Sequence, residues 1–290
     1  MSRIVVALLW LLHWLPLSVQ APIGRAIGHL LYWLIPPRRK ITLTNLRLCF
    51  PELSEGERRA LAKEHFALAG RSLVERGLAW FAPAERIRRL VRIDREALLR
   101  QLVDARQPVI LLTPHFLGLD LGGTRMAISF DCVSIYARQR DAVIDRWLFH
   151  GRSRFGDQLL LRRDESIRAS IKAMKEPRPF YYLPDMDNGP NESVFVPFFG
   201  VPAATLAALP RFAKLGGAVV VPCVTRMLPG GRGYVVELGD PWEHFPGPSV
   251  EGDARRMNEF LEERIRTMPA QYYWVHRRFK TRPPGEPKIY

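Results

Sequence analysis

Beyond Pro108 the chain breaks into short apolar runs separated by amphipathic segments, and this alternation narrows the fold more than any other feature. VILLT (109–113), VSIYA (133–137), LLL (159–161), FYYL (180–183), AVVVPCV (218–224) and GYVVEL (233–238) read as strands, most of them buried. Helical patterns lie between and after them, at about 117–128, 142–154, 165–175, 204–215 and 252–267. The expectation is an α/β fold, a mixed and mostly buried sheet flanked by helices. A chain of 290 residues with 47% hydrophobic content can bury a sizeable core, here read as one domain with an N-terminal appendage.

No residue from Ile4 to Gly24 carries a formal charge, roughly the length a helix needs to cross a bilayer. His13, Pro16, Ser18, Gln20 and Pro22 interrupt that stretch. A second uncharged run, Ala26 to Pro37, ends in Arg38, Arg39 and Lys40. Residues 1–40 therefore read as a hydrophobic membrane-anchoring helical segment, either spanning or lying in the interface as a hairpin. Val19-Gln20-Ala21 resembles a signal-peptide cleavage site, but Pro22 directly after it would hinder cleavage. Positive charge is heavier after the apolar segment than before it, which puts the remaining chain on the cytoplasmic side. Trp10, Trp14, Tyr32 and Trp33 suit a headgroup zone. Removal of residues 1–37 is expected to leave the α/β core folded.

Residues 41–106 look helical and basic, and 107–290 form the α/β part. Ser54 and Glu57 have capping-box spacing for a helix starting near Glu55. The block ERIRRLVRIDREALLRQLVDAR reads as helical, with an arginine face that either meets solvent or rests on anionic headgroups. The formal net charge of +14 calls for an acidic partner: nucleic acid, an anionic membrane, a phosphorylated substrate or an acidic carrier protein. Cys49, Cys132 and Cys223 lie far apart in apolar surroundings and read as reduced core thiols, which favours a cytoplasmic catalytic part.

LLTPHFLGLD (111–120) carries the chemistry. His115 follows a strand and precedes a helix, the place where open α/β sheets hold their ligands. In one regular helix an offset of five would set Asp120 about 140° from His115. They meet only if His115 sits in the loop and Asp120 in the first turn. The carboxylate would then fix the imidazole tautomer and leave the other nitrogen as a base. A structural histidine beside a helix-start aspartate is the bland alternative. Gly-x-Ser-x-Gly is absent, and no cysteine adjoins a basic cluster. A base without a protein nucleophile points to direct activation of a substrate hydroxyl, and attack of that hydroxyl on an acyl thioester would fit.

His115-Phe-Leu-Gly-Leu-Asp120 after an apolar strand resembles the His-x-x-x-x-Asp/Glu motif of the glycerolipid acyltransferase superfamily. YYLPDMDNGPNESVFVPFFGVPAAT (181–205), NLRLCFPELSEGER (45–58) and QYYWVHRRFKTRP (271–283) are similar to the lipid A biosynthesis acyltransferases, the lauroyl and myristoyl transferases of Gram-negative bacteria. In that family the acid is often glutamate, and where the glycerolipid branch has Glu-Gly-Thr-Arg this chain has Pro184-Asp-Met-Asp-Asn-Gly189. The resemblance covers nearly the whole chain and makes 41–290 an acyltransferase domain. It implies transfer of a fatty acyl chain from acyl carrier protein to a hydroxyl of a lipid A precursor, at the cytoplasmic side of the bacterial inner membrane. His115 would be the general base and Asp120 its partner, with no cofactor and no metal.

Arg138, Arg162 and Arg163 follow strands near the dyad and suit phosphate or carboxylate groups, of which the family's acceptor carries both. Surface ion pairing is the alternative for each. Arg163 ranks first, because the segment after it resembles the family's helix. Asp185 and Asp187 are turn formers or supports of the site, and the family pattern favours Asp185 as a support. The cluster His276 to Lys280 could bind nucleic acid phosphates, hold lipid headgroups or stabilise the fold, and the resemblance favours the last two. The competing readings are a lysophospholipid or other lipid acyltransferase, and a non-catalytic basic protein of membranes or nucleic acid. The non-catalytic one would not need His115 or Asp120.

Overall fold

A computed structural model describes residues 1–162, 167–174 and 176–290. Three helices open the chain: α1 (Ser2–Leu12), α2 (Leu17–Leu34) and α3 (Pro36–Cys49). The long α4 (Glu55–Phe81) starts at a capping box, with Ser54 and Glu57 each bonded to the other's backbone. Then come α5 (Ala84–Leu90), β1 (Val91–Asp94), α6 (Glu96–Asp104), β2 (Val109–Leu112), α7 (Leu119–Ser129), β3 (Val133–Tyr136), α8 (Ala142–Ser153) and β4 (Leu159–Arg162). The remainder is α9 (Ile167–Met174), β5 (Phe180–Tyr182), β6 (Ser193–Phe198), β7 (Val201–Leu206), α10 (Ala208–Gly216), β8 (Val219–Met227), β9 (Tyr234–Leu238) and α11 (Val250–Thr267).

The main sheet runs β1-β9-β8-β2-β5-β3-β4, parallel throughout except where β9 meets β8. Its central strands are apolar on both faces because helices cover both. All four residues of β2 are buried, and so are all three of β5. The expected mixed sheet flanked by helices is what forms. The three cysteines are free and buried, as read from their surroundings.

Two elements differ from the sequence reading. The arginine block is not one helix: VRID leaves the helical register after Leu90 and pairs parallel to β9, Val91 opposite Tyr234. Residues 193–206 form the antiparallel hairpin β6–β7, with Pro197 opposite Pro202. The helix read from 204 begins only at Ala208. Prolines disfavour a strand within a larger sheet, but this hairpin has only two strands and needs no donor on its outer edges.

The N-terminal helices lie against α4. Gly24, Gly28 and Gly70 bring the backbones of α2 and α4 together, so a methyl group at Gly28 would fall 2.0 Å from the Phe66 carbonyl oxygen. Leu9, Leu17, Ala21 and Tyr32 are buried here, and Arg86 ties the α1–α2 turn down by donating to the carbonyls of His13 and Leu15, 2.6 Å each. The outer face leaves Leu8, Trp10, Leu11, Trp14, Leu30 and Trp33 exposed. Among the described residues no helix is long and apolar enough to cross a membrane. Pro16 divides the uncharged stretch between α1 and α2, and α2 carries Arg25, which pairs with Glu64 at 2.6 Å.

Candidate active site

Strand register builds the site. Leu112 of β2 lies opposite Tyr182 of β5, and the pairing continues one step further as Thr113 N–H donates to the Tyr182 carbonyl at 2.8 Å. Three residues beyond each paired position stand His115 and Asp185. The His115 backbone N–H donates to Asp185 Oδ2 at 2.9 Å, and its ring Nδ1 lies 2.6 Å from Oδ1. Asp185 is fully buried while the His115 ring is 26% exposed. Burial pushes the Asp185 carboxyl up, but the His115 ring and its hydrogen bonds outweigh that and hold it below the ordinary carboxylate value. A buried anion on Nδ1 fixes the tautomer and directs Nε2 outward.

The spacing argument paired His115 with Asp120, but the ring nitrogen is taken by Asp185. Asp120 does lie in the first turn of α7, as the argument required, yet its carboxylate is gripped from elsewhere. Arg76 of α4 donates to it from Nε at 2.8 Å and from a terminal nitrogen at 2.7 Å, and Arg152 of α8 stands 3.7 Å away. Burial raises its pKa, but the two guanidinium groups prevail and keep Asp120 ionised. Its charge acts on His115 through space. Neither arginine stands out in the sequence. Arg76 is about six helical turns past the capping box at Ser54, and Arg152 is one of several cations in α8.

The segment after α11 braces both partners. Tyr273 N–H donates to the His115 carbonyl at 3.0 Å, and Leu117 N–H donates to the Gln271 carbonyl at 2.8 Å. Asp187, also buried, accepts from Thr281 N–H at 2.6 Å, from its hydroxyl at 2.7 Å and from Gly189 N–H at 3.0 Å. The Asp187 N–H donates to His276 Nε2 at 3.1 Å. Asp187 is thus a clamp on the Asp185 loop. In the basic cluster, Arg278 is buried and donates to the Ala204 carbonyl at 2.7 Å, so it stabilises the fold and does not face an anion at the surface.

His115, Asp120 and Arg152 line a cavity of about 1320 Å³. It opens where the sheet forks: β3 pairs β5 through only two residues, Val133 and Ser134, before the strands separate. One end is apolar and runs along α7. The other is polar and includes Asn188, Arg211 and Lys214.

The profile of the bacterial lipid A biosynthesis acyltransferases matches residues 1–281. The chain belongs to that family. It is 37% identical over 286 residues to the lipid A biosynthesis lauroyltransferase of Escherichia coli K12, covering 98% of this chain and 93% of the relative. It is 31% identical to the palmitoleoyltransferase of the same organism over 98% and 92% of the two chains, and 32% identical to the myristoyltransferase over 95% and 85%. The resemblance read from the sequence is therefore shown, and the chain is an acyltransferase of lipid A biosynthesis.

Within this lipid A acyltransferase the sequence-named arginines scatter. Arg138 is 74% exposed and stands 3.9 Å from Asp145. Arg162 closes β4, the edge strand three places from β2. Arg163 lies outside the described residues. Among the described residues, the arginines and lysines that line the cavity are Arg152, Arg211 and Lys214.

Proposed function

We propose that the protein transfers a fatty acyl chain from acyl carrier protein to a hydroxyl of a lipid A precursor, with His115 as general base. The pair of hydrogen bonds between His115 and Asp185 at the cavity rim is the observation that carries this reading. Nε2 takes the proton of the acceptor hydroxyl as its oxygen attacks the thioester carbonyl. The tetrahedral intermediate collapses, the carbon–sulfur bond breaks, and the carrier thiolate leaves and takes up the proton. Asp185 stabilises the imidazolium formed on the way. Asp120 adds negative charge beside it and holds Arg152 at the cavity wall, where a guanidinium can meet the anionic groups of either substrate. Arg211 and Lys214 at the polar end serve the same acidic partners, and Arg163 is assigned to them from the sequence alone.

The outer face of α1 and α2 supports docking on the cytoplasmic surface of the inner membrane. Trp10, Trp14 and Trp33 with the leucines around them form an apolar face on helices that are not long and apolar enough to span, and Arg38, Arg39 and Lys40 flank it. This is the pattern of an interfacial anchor. Incubating the purified protein with acyl carrier proteins of several chain lengths and a lipid A precursor, read by mass spectrometry, tests the reaction. A product heavier by one acyl group is expected, and unchanged precursor under all donors would sink the proposal.

A further inference from the structure

Two adjacent glycines in α7 stand in different surroundings. A methyl group on Gly122 would fall 1.9 Å from the Thr225 hydroxyl, so close helix–strand packing accounts for it. On Gly123 the same group would meet only the Tyr181 ring at 3.6–3.7 Å, an ordinary contact. Glycine is a poor helix residue, and packing gives no reason for it at 123. That position instead faces the cavity.

The cavity's inner arm continues past Gly123 between Met126, Ala127, Cys132 and Tyr181, all buried. Gln158 also lines the cavity, and its amide is fully used: Nε2 donates to the carbonyls of Ala127 and Phe130, and Oε1 accepts from Cys132 N–H. That side chain therefore offers no unpaired polar group to a ligand. Apart from the buried Tyr181 hydroxyl, the arm that starts at His115 and Asp120 is lined here by apolar groups, which suits a saturated alkyl chain.

We infer that Gly123 is the specificity-determining residue for acyl length, keeping this arm open to chains of medium length. The inference rests on the acyl-transfer reading above. From Asp120 to Ala127 the helix advances about 10 Å at about 1.5 Å per residue. At about 1.25 Å per carbon, and with the Cys132 wall a little beyond, the arm holds roughly ten to twelve carbons. Gly123 lies about 4.5 Å in, near the fourth carbon.

The test is a graded series at three depths: Gly123→Leu, Ala127→Leu and Cys132→Phe, each assayed with acyl carrier proteins bearing six to sixteen carbons. The wild type should prefer about ten to twelve carbons, Ala127→Leu about eight, and Gly123→Leu the shortest donor offered, in the order of the helix rise. The ratio of kcat/KM for long over short donors should fall at least tenfold in Gly123→Leu. A variant that is merely unstable loses all donors in proportion, and that result in all three variants would overturn the inference. A second measurement needs no turnover: the shift in melting temperature caused by free saturated fatty acids of the same lengths. Twelve carbons should stabilise the wild type and fail to stabilise Gly123→Leu. If the wild type transferred nothing yet showed that pattern, the reaction reading would fall and the acyl arm would stand. No stabilisation of the wild type by any length would overturn the inference itself.

Discussion

His115 is bonded twice to one carboxylate, its backbone N–H to Asp185 Oδ2 at 2.9 Å and its ring Nδ1 to Oδ1 at 2.6 Å. The first bond fixes the carboxylate against the main chain, and the second then fixes the ring. Asp185→Asn keeps the size and removes the charge, so the imidazole loses both its tautomer control and the anion that stabilises its protonated form. We expect kcat to fall by on the order of 10³ or more, with KM for either substrate little changed. Steady-state kinetics with donor and acceptor varied separately would show it. Retention of more than a tenth of wild-type kcat would take Asp185 out of this role.

Asp120 is held by Arg76, and the two side chains are expected to be coupled. Arg76→Ala leaves a poorly solvated carboxylate without its main partner, whereas Arg76→Ala combined with Asp120→Asn removes both charges. The double variant should be more stable than the sum of the single losses by about 1–3 kcal/mol, measured as a double-mutant cycle in urea. Strict additivity would mean that solvent already satisfies Asp120.

The parts legible in the sequence are those set by local pattern. The buried strands, the capping box at Ser54 and the position of His115 at the end of β2 all follow from nearby residues. β1 was hidden because VRID sits inside an arginine-rich helical period, and its strand character depends on β9, more than a hundred residues away. The partner of His115 was hidden for the same reason. Asp120 is near in sequence, while Asp185 becomes a neighbour only because β5 inserts between β2 and β3. The PDMDN turn did mark Asp185 as a support, although nothing local aimed it at Nδ1. Arg76 and Arg152 needed the packing of α4 and α8 around α7.

The N-terminal helices should separate anchoring from folding. Gly70→Ala places a methyl group 2.2 Å from the Gly24 carbonyl oxygen, and overpacking of this kind costs about 1–3 kcal/mol. It should lower the melting temperature. Deletion of residues 1–37 would uncover the α4 face beneath α2 and is expected to give aggregated protein, contrary to the simple reading of a detachable appendage. Replacing exposed Trp10, Trp14 and Trp33 by Ser together should leave the melting temperature within a few degrees yet weaken sedimentation with anionic vesicles at least tenfold. Unchanged vesicle binding would remove this face from the membrane contact.

Acid should destabilise the fold through buried histidines, His65 and His276 foremost, with His13 shifted down by burial in the same direction. His65 is fully buried with Nδ1 against the Ala270 carbonyl at 3.0 Å, and His276 uses Nε2 to accept from Asp187 N–H. Burial pushes both down to about 4. Above about pH 6.5 neither the folded nor the unfolded chain protonates them, so stability does not change on their account. Between about 6.5 and 4 the unfolded chain binds protons that the folded chain refuses, and stability falls as pH falls, by up to about 1.4 kcal/mol per pH unit for each histidine. Asp185 works in a lower window: its depressed value contributes stability above the unfolded carboxylate range, lost only as pH drops below about 4. Urea midpoints should therefore decline from pH 7.5 through 6 to 5. His65→Gln can still donate to the Ala270 carbonyl but does not titrate, and it should reduce that slope by up to about one proton. An undiminished slope in this variant would show that His65 does not remain neutral in the folded protein across that range.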